Sequence, residues 1–277
     1  MTVDREHGWA LCLTSVLRPP WDREETSTAG WPVAAIRDRF EAGAAQVVLL
    51  ALGPPPGDVA SLRRLLPEDE QERADRFTAP SAAWRFVVGR MLMRSVLAAA
   101  LGVLPRELHF RYSEHGKPSL TDSDGLTPGF SLTHTEGLAG FALVRSGRIG
   151  IDIEAMRPLA ERERFAARIF SATELARFKA LPGRDQNAAL LDAWTAKEAV
   201  LKAIGTGISG VMSTVELQAD PGEEGTGIAM VAGKSGPSTC WTFRRLPVPE
   251  GFHSALAVEG TEPGLLVWRS AFMRGCA

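Results

Sequence analysis

Two short segments carry the side chains best suited to chemistry. In Ile149-Gly150-Ile151-Asp152-Ile153-Glu154 the residues alternate with period two, so a strand puts Asp152 and Glu154 on one face and Ile151 and Ile153 on the other. Alone, this reads first as a half-exposed edge strand with solvated acids. The alternative is a cation between two carboxylates that would otherwise repel, and an oxygen-only ligand set selects a hard ion such as Mg²⁺. In Trp194-Thr195-Ala196-Lys197-Glu198-Ala199-Val200-Leu201-Lys202, a helix stacks Glu198 and Lys202 at i, i+4 and turns Lys197 roughly 100° away. Alone, that is a routine surface ion pair contributing about 0.3–0.5 kcal/mol. His134, closing Phe130-Ser131-Leu132-Thr133-His134, and the turn His115-Gly116-Lys117-Pro118 add further polar groups. Singly, they are a strand-end histidine with a structural hydrogen bond and a turn with a solvated lysine.

The elements that must hold these groups can be read from periodicity. Residues 46–52 (QVVLLAL), closed by GPPPG, suit a buried strand. Pro67 and the three acids after it open a short helix through Phe77, favoured by the proline φ and the helix dipole. Apolar residues from Trp84 to Ala99 recur at helical spacing until Gly102, predicting a long core helix. Segments 108–113, 130–134, 137–144 and 148–154 predict strands of an antiparallel sheet. Ser171 and Glu174 form a capping box for a helix ending near Pro182-Gly183, and 185–204 reads as a second long helix. Three or four further strands follow, from VELQA to HSALAVEG. The series strand, acidic short helix, long helix and strands occurs twice, a weak repeat of about 120 residues. The expected fold is therefore α+β, with two similar halves related by a pseudo-twofold and the substrate site in the cleft between them. Residues 1–45 are an extension with Trp9, Trp21 and Trp31, residues 46–146 the first half, and residues 147–277 the second.

Composition narrows the function classes. With 31 basic against 33 acidic residues in 277, there is no general cationic field for nucleic acid, so any anion site is local. Cys12, Cys240 and Cys276 are an odd number with no paired spacing, so no disulfide framework or cysteine metal knuckle is readable and a reducing cytoplasm is expected. The N-terminus does not read as a signal peptide, and no run approaches the roughly 20 apolar residues of a membrane span.

The segments Gly116-Lys117-Pro118, FSLTH, Gly150-Ile151-Asp152-Ile153-Glu154 and WTAKEAVLKAIGTGIS (194–209) together resemble the long, pseudo-dimeric, Sfp-type class of 4′-phosphopantetheinyl transferases. The resemblance runs from about Gln46 to Phe252. It is specific because G-[IV]-D-x-E and W-x-x-K-E-A-x-x-K occur together about 40 residues apart. It implies transfer of the phosphopantetheine arm of coenzyme A to a serine of an apo acyl or peptidyl carrier protein, releasing 3′,5′-ADP. A cytoplasmic monomer acting on neither nucleic acid nor membrane is expected, with a lean towards polyketide or nonribosomal peptide pathways.

The same resemblance assigns residues. Asp152, Glu154 and Glu198 would surround Mg²⁺. Either Glu198 or a water on the metal would take the serine proton, and Lys202 would neutralise phosphate charge, with Lys197 a second cation nearby. Thr133 and His134 would contact coenzyme A, His115, Gly116, Lys117 and Pro118 would form the adenine and phosphate lip, and Arg85 or Arg73 would hold the 3′-phosphate. Arg76, Arg90 and Arg94 are basic alternatives that spacing cannot rank. Glu174 matches a further family acid, although its capping box accounts for it. Two rivals are a non-catalytic homologue that binds coenzyme A or carrier proteins and a generic Mg²⁺-dependent phosphohydrolase.

Overall fold

Strand β1 (Ala45–Ala51) is apolar except for the buried Gln46, because both of its faces are covered. Val48 and Leu50 pack with the long helix α4 (Pro80–Leu101), while Ala45, Val47 and Leu49 face the opposite way into a second apolar layer. The computed structural model describes residues 33–53, 59–121, 125–159, 161–207, 212–218, 226–232, 238–260 and 264–271. The three early tryptophans and Ile208-Ser209 of the glycine loop lie outside these residues. Of the expected extension, Val33–Glu41 forms helix α1, whose Ile36 and Phe40 are buried in the first core.

Two short helices, α2 (Val59–Arg63) and α3 (Glu68–Asp75), precede α4, which begins with Pro80 in its first turn and ends at Gly102 in the left-handed conformation. The hairpin β2 (Phe110–Tyr112) and β3 (Pro118–Leu120) stands apart. The strands β4 (Gly129–Thr135) and β5 (Leu138–Val144) join β1 in the first sheet. After β6 (Ile149–Ala155) come helices α5 (Arg162–Ile169), α6 (Ala172–Ala180) and α7 (Gln186–Ile204). The strands β7 (Val215–Leu217), β8 (Thr226–Val231), β9 (Thr239–Arg244), β10 (Phe252–Glu259) and β11 (Leu265–Ala271) complete the described elements.

The fold is α+β with two similar halves. The order β1-β5-β4 in one sheet is repeated as β6-β10-β9 in the other, each with its long helix laid across it. The strands expected in one antiparallel sheet fall in three: 108–113 in the β2–β3 hairpin, 130–144 in β11-β1-β5-β4 and 148–154 in β6-β10-β9-β8-β7. The last strand was not foreseen. It returns to the first sheet and runs parallel to β1, so residues 265–271 lie with the first half's strands although they follow the second half's in sequence. Without it, the outer edge of β1 would leave a row of unpaired main-chain groups. Between the sheets, Val47, Leu49, Leu138 and Val144 meet Ile149, Ile151, Ile153, Leu256 and Val258.

The halves share a further device. Glu70 of α3 is fully buried and pairs with both Arg90 and Arg94 of α4, and Arg94 also donates to the Pro105 and Leu108 carbonyls at 2.9 Å. In the second half Glu174 of α6 pairs with Lys197 of α7 at 2.6 Å. Each pair fixes a short helix, through one buried glutamate, to its long partner. A buried charge is tolerable only when paired and hydrogen-bonded, which these are. Among the described helices none is long and apolar enough to cross a membrane.

Candidate active site

Helix α7 lies against β6 because Gly150 has no side chain: a Cβ there would collide with the Ala199 carbonyl oxygen. That close approach brings the Glu198 and Lys202 face of the helix over the Asp152 and Glu154 face of the strand. The result is a cleft of about 240 Å³ lined by Leu132, Thr133, His134, Asp152, Ile153, Glu154, Trp194, Glu198 and Lys202. The strand and helix periodicities therefore place the expected acids and lysine in one site.

Within it, the Lys202 ammonium donates to Asp152 Oδ1 at 2.6 Å and to Thr133 Oγ1 at 3.2 Å. Asp152 is 4% exposed, and its Oδ2 is buried with no hydrogen-bond partner. Glu198 is 2% exposed, and neither of its oxygens has a partner. Burial, and then the charges of Asp152 and Glu154, push the Glu198 carboxyl up to about 7, against the opposing pull of Lys202. Glu154 is held differently: Trp194 Nε1 donates to its Oε1 at 3.3 Å and Arg157 to its Oε2 at 3.0 Å.

Whether these residues suit a cation can be judged from their free oxygens. Three buried carboxylate oxygens without donors are costly unless a proton or a hard cation meets them, and Asp152 with Glu198 supplies them. Among the described residues no three His, Cys, Asp or Glu side chains are already drawn together as a ligand set. Glu154 is turned to Trp194 and Arg157.

His134 borders the cleft from β4. Gly89 of α4 lets the helix approach, its missing Cβ lying 3.6 Å from the His134 ring. Surrounding protein atoms, then Lys202 and Arg85, hold this histidine below its ordinary pKa, although its ring reaches the surface. Arg85 is half-buried and, among the described residues, engaged in no ion pair or hydrogen bond. The cleft lining thus sets Lys202 directly against Asp152, while Arg85 lies outside the lining and is felt as a positive charge at His134.

Other residues expected in the site lie elsewhere. Lys197 does not reach the cleft: its ammonium is wholly buried and donates to Glu174 Oε2 at 2.6 Å, the Ile169 carbonyl at 2.8 Å and the Met212 carbonyl at 3.3 Å. All three of its donors are used, because the 100° turn that separates it from Glu198 points it into the second core. Glu174 completes the observed capping box with Ser171 and also accepts from the Leu217 amide at 2.9 Å. Arg73 lies over the Tyr112 ring, 4.4 Å from its centroid, rather than in the cleft lining. Arg90 and Arg94 are spent on Glu70.

The turn His115-Gly116-Lys117-Pro118 sits against the end of α7. Lys117 Nζ donates to the Ala203 carbonyl at 2.6 Å, and Gly205 and Gly207 make room for Lys117 and His115. Burial and the charge of Arg148 lower Lys117 to about 8. The turn therefore caps the helix that carries Lys202 and does not line the cleft itself.

Sequence reasoning gave no role to Arg157 or to Trp194, whose ring stacks on Phe165 at 4.8 Å while its N–H holds Glu154. Tryptophan four residues before Glu198 on the same helix face was the available signal.

Comparison with known proteins identifies the family to which the chain is similar. Residues 148–257 match a family model described as the 4′-phosphopantetheinyl transferase superfamily, and residues 53–142 one described as 4′-phosphopantetheinyl transferase, N-terminal. The chain is 34% identical over 214 residues to the 4′-phosphopantetheinyl transferase HetI of Nostoc sp. strain PCC 7120, covering 76% of this chain and 86% of HetI. It is 29% identical over 260 residues to a phosphopantetheinyl transferase of Thraustochytrium sp., covering 87% and 81%. Similarity to Sfp of Bacillus subtilis strain 168 is 30% over 141 residues, covering 51% and 61%.

Proposed function

This chain belongs to the 4′-phosphopantetheinyl transferase family, and on that premise we propose that it transfers the phosphopantetheine arm of coenzyme A to a serine of an apo acyl or peptidyl carrier protein. The observation that carries the reading is the set of buried, unpartnered oxygens of Asp152 and Glu198 beside Lys202, in a cleft that His134 borders, with Arg85 close enough to lower that histidine's pKa.

The serine oxygen bonds to the β-phosphorus, and the bond from that phosphorus to the bridging oxygen breaks, so that 3′,5′-ADP leaves with the electron pair. Either Glu198 or a water beside it accepts the serine proton; the value near 7 belongs to the metal-free carboxyl, and a cation held there would keep it ionised. Lys202, held by two of its three donors, directs the third at the pyrophosphate. His134 and Arg85 bind the nucleotide end. Asp152 through Oδ2 and Glu198 would hold Mg²⁺, with Glu154 on the same strand face. When bound, the ion supplies positive charge against the pyrophosphate oxygens.

Incubation with coenzyme A, Mg²⁺ and a panel of apo carrier proteins tests this. The expected result is a phosphopantetheine mass gain on a carrier, matched by release of 3′,5′-ADP. Coenzyme A binding without product would mean a binding protein, and 3′,5′-ADP without a mass gain a hydrolase.

A further inference from the structure

A threonine hydroxyl can donate one hydrogen bond and accept two, and that of Thr133 is saturated. It donates to Asp152 Oδ1 at 3.2 Å and accepts from the Ile153 amide at 3.3 Å and Lys202 Nζ at 3.2 Å. The residue is 4% exposed. Its methyl group lies in the space left by Gly140, beside Ile151 and Ile153, which holds the β-branched side chain in one rotamer. Ser131 and Thr135, two residues away on either side of β4, accept from the amides of Ile151 and Ala155 at 3.2 and 3.4 Å. Three hydroxyls on one face of β4 thus fasten the free edge of β6, where a main-chain ladder would otherwise run.

Thr133 alone among the three also touches charged groups of the cleft. With Lys202 it fills Oδ1 of Asp152, a residue of the cleft lining, and leaves Oδ2 buried without a donor. It also takes one Lys202 N–H and leaves another to point outward. A hydroxyl with every bond filled cannot bind a coenzyme A phosphate without releasing the pair it orients.

We infer that Thr133 is a positioning residue for the transfer step, setting the orientation of Asp152 and Lys202, rather than a contact to coenzyme A. This rests on the roles given above to those two residues.

The test compares Thr133→Val, which keeps the shape and loses the hydroxyl, with Thr133→Ser, which keeps the hydroxyl. Ser131→Ala and Thr135→Val serve as controls that each break one bond of the seam. Three readouts are taken: hydrogen exchange at the Ile153 amide in the ligand-free protein, Mg²⁺ titration calorimetry without coenzyme A, and kcat and KM for coenzyme A. Thr133→Val should speed Ile153 exchange, weaken Mg²⁺ binding and lower kcat by about 10- to 100-fold, with KM changed by less than about threefold. Thr133→Ser should restore all three, and the controls should leave kcat unchanged. A raised KM with kcat intact in Thr133→Val, or controls that lose kcat as severely, would overturn the assignment. If the wild type modifies no carrier protein, the transfer reading fails by itself. Unchanged Ile153 exchange or unchanged Mg²⁺ affinity in Thr133→Val would still refute the role of Thr133.

Discussion

Glu198 makes the metal-free protein's stability depend on pH in a calculable way. Its carboxyl is raised from an ordinary 4.5 to about 7 by burial and by the neighbouring charges of Asp152 and Glu154. Between those values the folded protein retains a proton that the unfolded chain has lost. The folded state therefore binds more protons, and stability falls as pH rises through this window. Each unit is worth about 1.4 kcal/mol, so the full loss between roughly pH 4.5 and 7 is about 3 kcal/mol. Glu198→Gln is neutral in both states and should abolish this contribution while keeping the shape. The assay is urea unfolding in EDTA at half-unit pH steps, with the variant's curve subtracted from wild type so that other titrations cancel. The difference should slope downward to about pH 7 and then level. A flat or rising difference would show that Glu198 is not held protonated by its surroundings in the metal-free protein. Asp152→Asn, by removing the second cause of the shift, should end the slope at lower pH.

Three further outcomes follow from the geometry. Asp152→Ala should abolish transfer and weaken coenzyme A binding in Mg²⁺ buffer but change it little in EDTA; calorimetry showing equal weakening in both would make the residue structural. Arg85→Ala should raise the KM for coenzyme A by roughly 10- to 150-fold with kcat kept, since a charge-assisted phosphate bond contributes about 1.5–3 kcal/mol. The variant should also lose the wild type's discrimination against dephospho-coenzyme A, and full retention would acquit Arg85. Lys197→Met leaves Glu174 buried without its cation and should cost about 3–5 kcal/mol in urea unfolding. A normal unfolding midpoint with a raised KM would instead return Lys197 to the phosphate site.

Which features were legible in the chain, and which were not, follows the range of the interaction. The shared face of Asp152 and Glu154, the stacking of Glu198 on Lys202, the glycine ends of both long helices and the Ser171-Glu174 box are set by neighbours within four residues. A strand's period of two and a helix's of 3.6 specify them before any folding partner is known. The duplicated order of elements was readable for the same reason.

What Lys197 does was not readable, because a helix period says that it points away from Glu198 but not that Glu174 and two carbonyls wait in that direction. Nor did spacing reveal that Glu70 consumes Arg90 and Arg94 and leaves Arg85 beside His134. The C-terminal strand found its partner about 220 residues earlier on an edge that no local pattern marks as open. Only the folded chain brings Thr133 within reach of Asp152 and Lys202, 19 and 69 residues away. Local geometry decides which way a side chain points along its own element. Burial and the donors met there, which depend on how distant elements pack, decide whether a charge becomes a structural pair or stays free for chemistry.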